Sequence, residues 1–158
     1  MTVYKLQRTQ ILPIHLEKAW DFICRPENLQ ILTPPTIDLT ITSNLPERIY
    51  PGLIITYRLK LYRMLYLNWV TEITTSERLR YFIDEQRIGP YKFWQHEHRL
   101  QKVEAGVEMK DLVHYALPYG ILGRMVHAGW VQNQLNRLFD YRRDVLPVSY
   151  THLRAHET

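Results

Sequence analysis

The sequence lacks most of the features that would commit it to a particular chemistry. It has one cysteine, Cys24, in 158 residues, which excludes an intramolecular disulfide and a multi-thiolate metal centre and points to a reducing compartment. No apolar run approaches the ~18 residues of a membrane span. The opening MTVYKLQRTQ has no apolar core of a secretory signal, so a soluble cytoplasmic protein is expected. A phosphate-cradling glycine loop, a dinucleotide fingerprint, a Ser-His-Asp order and an activated cysteine are all missing, as are repeats, low-complexity tracts and linkers. The formal charge is +4, but lysines and arginines are dispersed rather than clustered with aromatics. That argues against nucleic-acid binding and leaves only a weak attraction to anionic membrane surfaces.

What remains is an ordinary globular composition, 46% hydrophobic and 23% charged, in a chain long enough for one domain with a real core. The 11 tyrosines and 4 tryptophans offer apolar bodies with polar tips, a suitable wall for an amphipathic ligand.

The periodicity changes twice along the chain. Residues Val3 to Leu12 alternate as a first strand; Leu16, Ala19, Trp20 and Ile23 then fall at helical spacing. Pro26 opens a second short helix to about Leu32, closed by Pro34-Pro35. Extended segments follow at Ile37–Ser43, Leu53–Leu61, Leu65–Thr75, Arg80–Arg87, Lys92–Val103 and Val107–Leu117, with short joins that predict an antiparallel meander. Leu65, Leu67, Trp69, Thr71 and Ile73 share one face, and Phe82, Asp84 and Gln86 share another, both expected to point inward. After Pro118-Tyr119-Gly120 the pattern is helical to about Leu146, before Pro147, with Met125, Ala128, Val131 or Gln132, Leu135, Leu138, Arg142 and Val145 as its stripe. Tyr141-Arg142-Arg143 reads as helix-end and surface chemistry. Gly120, Gly123, Ala128 and Gly129 thin the first half of this helix, for close approach to the sheet or for space at a cavity mouth.

The last two strands carry the most unusual chemistry. With Ala105 and Gly106 as a two-residue loop, Trp94, His96, His98 and Leu100 share a face with Met109, Asp111, Val113 and Tyr115. Two imidazoles, a carboxylate, a phenol and an indole among aliphatics suit a lined cavity, because buried polar groups need partners. His-x-His with Asp111 opposite is compatible with metal binding. It is equally the way a pocket satisfies its own polar atoms or orients a ligand, and this reading is adopted, with no metal and no cofactor expected. Asp84 and Gln86 approach from the neighbouring strand; the competing reading of Asp84 is a salt bridge to Arg80, Arg87 or Arg99. Tyr57, Trp69, Phe82, Trp94 and Tyr115 complete the candidate wall.

Four blocks carry a family resemblance. IHLEKAWDFICRPENLQILTPP resembles the opening of the SRPBCC superfamily (START and Bet v 1-like, with polyketide cyclase/dehydrase and lipid-transport members). FIDEQRIGPYKFWQHEH, DLVHYALPYGILG and LNRLFDYRRDVL are similar to later blocks of a bacterial group within it. The resemblance spans Val3 to about Leu146 and implies an α+β helix-grip fold, a curved antiparallel sheet wrapped around a long C-terminal helix with a cavity between them. It also implies partnership with short-chain-dehydrogenase-like epimerases, to which members of the group are joined or adjacent. The tail VSYTHLRAHET resembles translated sequencing adapter, so residues 1–147 are taken as the domain and 148–158, including His152 and His156, as non-native.

The function expected from residues and resemblance together is binding of a hydrophobic or amphipathic small molecule, lipid-like or polyketide/isoprenoid-like, as carrier or sensor. The ligand contacts would be Tyr57, Trp69, Phe82, Asp84, Gln86, Trp94, His96, His98, Asp111 and Tyr115. One alternative is a cyclase or dehydratase using His96, His98 and Asp111 as general acid and base. Another is an accessory subunit of a dehydrogenase-like or membrane-associated partner.

Overall fold

Seven antiparallel strands curl into a half-barrel around a long C-terminal helix in the computed structural model of the chain. It describes the backbone of residues 1–62 and 65–155, and the side chains of these except 61, 62, 123, 124, 126–128 and 151–155. His156 therefore lies outside the described residues, as do the side chains at Gly123, Ala128 and His152. The elements are β1 (Tyr4–Leu12), α1 (Leu16–Ile23), a 3-10 turn (Pro26–Leu29), then β2 (Asp38–Ile41), β3 (Ile54–Tyr62), β4 (Leu65–Glu77), β5 (Tyr81–Ile88), β6 (Phe93–Val103) and β7 (Gly106–Ala116). The chain ends in α2 (Gly120–Val126), a π-helical turn (His127–Val131) and α3 (Gln132–Ala155). The sheet order β1-β7-β6-β5-β4-β3-β2 is the expected meander, closed by β1 pairing with β7. Register shifts between Val70 and Thr71 and between Ile73 and Thr75 interrupt the β4–β5 ladder; such bulges bend a strand and help a sheet to curl.

The hairpin loop is Glu104-Ala105, because Val103 pairs with Gly106, not the Ala105-Gly106 read from sequence. The change moves the pairing by two residues, an even number, so every side chain keeps its expected face. Gly106 has φ +132, and a Cβ there would lie 2.2 Å from the carbonyl oxygen of Leu12. Gly106→Ala is accordingly expected to destabilise by roughly 3 kcal/mol in urea unfolding, from left-handed strain plus a clash that backbone cannot relieve. Gly129 is the contrast. An added methyl there meets nothing within 4 Å, so this glycine is not pressed on the sheet, and Gly129→Ala should be neutral or stabilising by up to about 1 kcal/mol.

The buried stripe of the last helix is Val131, Leu135, Phe139, Leu146 and Tyr150, displaced by one residue from the expected Leu138 and Val145. Met125 is 68% exposed, since a π turn inserts an extra residue and resets the phase of the helix before it. The helix also does not stop at Leu146. Pro147 lies inside it and cannot donate to the carbonyl of Arg143, but Gln10 Nε2 donates to that carbonyl at 2.8 Å. Beyond it Tyr150 is buried against Phe22, ring centroids 4.8 Å apart, with its hydroxyl 3.4 Å from the Ala19 carbonyl. Part of the segment set aside from the fold thus packs into the core.

Two apolar clusters fill the concave side. One gathers α1 with Leu12, Ile55, Ile73, Phe82, Leu100, Val107 and Met109; the other joins Leu6, Trp94, Val113 and Tyr115 to Val131, Leu135 and Phe139. Leu65, at the outer end of β4, is 61% exposed and belongs to neither, against expectation. Cys24 is buried, which pushes its thiol up to about 12, so it stays protonated at neutral pH and is no nucleophile.

Candidate ligand-binding site

Between the two apolar clusters the inward face changes character on six of the seven strands. Tyr57 on β3, Thr71 on β4, Asp84 on β5, His96 and His98 on β6, Asp111 on β7 and Arg8 on β1 form a polar band across the sheet. The register dictates it: Asp84 pairs with His96, His98 with Asp111, and Asp111 with Arg8. Residues directly opposite one another across a ladder share a face. At the β1 end the band is tied to α3, where Arg8 Nη2 donates to Asn136 Oδ1 at 2.7 Å and Arg8 lies 3.6 Å from Asp140.

At the centre of the band the two imidazoles lie against each other, centroids 3.6 Å apart, with one carboxylate at each edge. Asp84 Oδ2 is 2.7 Å from His98 Nε2 and 3.6 Å from His96 Nδ1. Asp111 Oδ1 is 2.8 Å from His96 Nε2 and 3.3 Å from His98 Nδ1. Every imidazole nitrogen therefore faces a carboxylate oxygen. Asp84 does not pair with Arg80, Arg87 or Arg99: Arg80 meets Glu77, Arg87 meets Glu72 and Glu85, and Arg99 meets Glu97. Among the described residues no buried side-chain nitrogen or oxygen lacks a partner.

A residue that the sequence placed on the surface completes this group. Arg142 turns inward from α3, donates from Nε to the Leu32 carbonyl at 3.0 Å and holds its guanidinium 5.1 Å from the Phe139 ring centre. It acts electrostatically on Asp84, Asp111 and Tyr57. Because α3 continues to Ala155, Arg142 is not at a helix end. Its position in the apolar stripe was the available signal, since a charge on the buried face of a helix needs a partner across it.

The charges balance. Burial works against the Asp111 carboxylate, but hydrogen bonds from His96 and His98 outweigh it and hold the group well below its ordinary 3.8; Asp84 is lowered in the same way, against burial, chiefly by His98. Burial also opposes charge on His98, but its bonds to both aspartates raise it above 6.5. His96 goes the other way, lowered by burial and by the charge on His98. The favoured state has two carboxylates offset by the His98 imidazolium and Arg142, with His96 neutral. Low folded values for Asp84, Asp111 and His96 give stability that is lost as pH falls, through the region below 6.5 for His96 and below 3.8 for the aspartates. The raised His98 gives stability present below 6.5 and lost as pH rises through its folded value. The stability maximum thus falls near neutrality.

The candidate wall divides. Phe82 stacks on His98 at 4.1 Å and meets Trp20 edge-on at 6.4 Å, on the α1 side of the band. Trp69, Trp94 and Tyr115 lie on the other side with Tyr91, which the sequence reading did not single out; Tyr91 contacts all three. Trp69 also donates its indole N–H to Thr71 Oγ1 at 3.1 Å. Tyr57, half-buried, is raised by burial and by Asp84 and hydrogen-bonds Thr71. Gln86 is spent locally, binding the backbone carbonyl of Tyr91 at 2.7 Å and its N–H at 3.2 Å.

Water reaches the cluster, because the side chains of Asp84, His98 and Asp111 keep 16%, 13% and 12% exposure. A separate cavity of about 190 Å³ opens at the other end of the aromatic group, lined by Met1, Thr2, Tyr4, Lys92, Leu117, Tyr119 and Gly120. Tyr4 joins the two, since it lines that cavity and its ring lies tilted against Tyr115, centroids 5.5 Å apart. Tyr119, which lines the opening, and Ile121 and Leu122, which follow Gly120 in the chain, expose apolar surface.

Solved structures share this architecture. Ara h 8.0201, a Bet v 1-like protein, superposes with a TM-score of 0.62 at 13% identity, over 92% of this chain and 99% of its own. The fold is the helix-grip fold. Protein Ms6760 from Mycobacterium smegmatis matches with a TM-score of 0.67 at 13% identity, over 94% of this chain and 92% of its own. The nucleoside-diphosphate sugar epimerase from Corynebacterium glutamicum matches at 0.68 and 23% identity, over 95% of this chain but 30% of that longer one. No protein-family model and no curated protein matches the chain. No helix among the described residues is long and apolar enough to cross a membrane.

Proposed function

We propose that the protein is an SRPBCC-type carrier or sensor that takes up a hydrophobic or amphipathic small molecule between the sheet and the C-terminal helix. The observation that carries this reading is the charge-balanced, water-reachable His–Asp–Arg cluster set beside an aromatic group on the concave face. An apolar wall supplies affinity, and a few convergent polar groups fix orientation. The ligand enters past Tyr4 and Tyr119, where apolar surface flanks the opening, and separates aromatic rings that otherwise pack on one another. Its polar end is held by His98, Asp84 and Arg142.

Native mass spectrometry of the protein purified from a bacterial host tests the proposal. A retained lipophilic passenger, lost from a Tyr115→Ala variant that still folds, is the expected result. A chain that carries no passenger and takes up none from lipid extract overturns it. The neutral His96 beside a charged His98 also supports a second reading, a cyclase or dehydratase in which one imidazole accepts and the other donates a proton. A passenger altered on incubation by the wild type and unaltered by His96→Ala would favour it. The match to part of a longer epimerase chain supports a third reading, an accessory role beside such a partner in the cytoplasm.

A further inference from the structure

Asp84 and Asp111 approach the same two imidazoles from opposite edges, and the two carboxylates are suited to different tasks. We infer that Asp84, His96 and His98 form a binding site for one divalent transition-metal ion, of the zinc or ferrous type, with Asp111 as the supporting carboxylate behind it.

The support comes first from Asp111. Metal-binding histidines usually donate their second ring N–H to a carboxylate or carbonyl, which fixes the tautomer and aims the other nitrogen at the ion. Asp111 Oδ1 sits 2.8 Å from His96 Nε2 and 3.3 Å from His98 Nδ1, so one oxygen serves both rings. With protons on those two nitrogens, the lone pairs of His96 Nδ1 and His98 Nε2 both face Asp84. His96 Nδ1 stands 3.6 Å from Asp84 Oδ2, longer than a hydrogen bond, and His98 Nε2 stands 2.7 Å from it. The three donor atoms lie within 4.8 Å of one another. Around an ion bonded at about 2.0–2.1 Å, tetrahedral ligands are about 3.3 Å apart, and the two measured separations bracket that figure. Opening the Asp84–His98 contact by a few tenths of an ångström places an ion where the shared proton sits.

The scaffold suits such a site. Asp84, His96, His98 and Asp111 come from three adjacent hydrogen-bonded strands, β5, β6 and β7, which hold ligands more firmly than loops do. Two imidazoles and one carboxylate leave coordination positions for water or a ligand oxygen, the arrangement of open zinc sites and of ferrous facial triads. The 16% exposure of Asp84 supplies the path. Arg142 nearby adds positive charge and disfavours a bare cation, so the complete site takes an anionic or strongly dipolar oxygen in the open position. This inference does not depend on the lipophilic ligand proposed above.

The test is titration of the chelator-stripped full chain with Co²⁺ and Zn²⁺ alone, followed by visible absorption and calorimetry. Saturation at one ion per chain is expected, with the d–d bands of a four- or five-coordinate Co²⁺ site. Asp84→Ala and His98→Gln should abolish it, and Asp111→Asn should weaken it about 10–100-fold. Circular dichroism of each variant without metal confirms that it has folded, and Asp84→Asn replaces Asp84→Ala if that one has not. Absence of saturable binding overturns the inference, as does binding unchanged in the folded Asp84 and His98 variants, which would place the ion on surface histidines.

Discussion

Asp111→Ala is expected to lower the stability of the metal-free protein by about 3–5 kcal/mol at neutral pH, read from urea unfolding. The carboxylate touches both imidazoles, is 9% exposed and offsets positive charge from His98 and Arg142. Removing one partner of a buried charged group leaves the others desolvated and unpaired, which costs more than the pair itself contributes. The pH dependence carries the sign. A carboxylate held below 3.8 in the folded state loses its contribution as pH falls, so without it the acid limb of the stability curve becomes shallower. His98, raised partly by Asp111, drops back towards 6.5 in the variant, so less stability is lost above neutrality. Asp111→Asn keeps the shape and one acceptor and should cost clearly less. A loss below about 1 kcal/mol for the alanine variant would mean that the carboxylate does not hold the buried rings.

How this cluster was visible in the sequence, and how it was not, follows from the range of the interactions involved. Alternation over Lys92–Val103 and Val107–Leu117 put His96, His98 and Asp111 on one face because period-two patterning is local, and the two-residue change in pairing left parity intact. The bracketing of the rings by Asp84 depended on the β5–β6 register, which no local pattern fixes when the neighbouring β4–β5 ladder carries two shifts. Arg142 was assigned to the surface from its place near Pro147, a helix-stop signal that normally holds. That signal failed here because Gln10, more than 130 residues away in sequence, caps the orphaned Arg143 carbonyl. Phe139 and Leu146 were missed because the stripe was stepped three residues on from Leu135, to Leu138, where the packed face steps four; both spacings suit a helix.

Phe139 is where this missed packing meets the site. Its ring is 2% exposed, packs edge-on to His96 with centroids 5.4 Å apart and lies under the Arg142 guanidinium. Phe139→Ala should destabilise by about 3–5 kcal/mol, the range for emptying an aromatic site in a core that relaxes only partly. The same cavity would admit water to His96 and relieve part of the desolvation that lowers its pKa. Proton NMR titration of the folded variant should therefore show the midpoint of the His96 titration rising towards 6.5, while Phe139→Leu keeps most of the volume and most of the lowering. Stability lost without any change in His96 would separate helix packing from the chemistry of the polar band. Stability and titration changing together would mean that the seating of α3 on the sheet also sets which of the two imidazoles carries the charge.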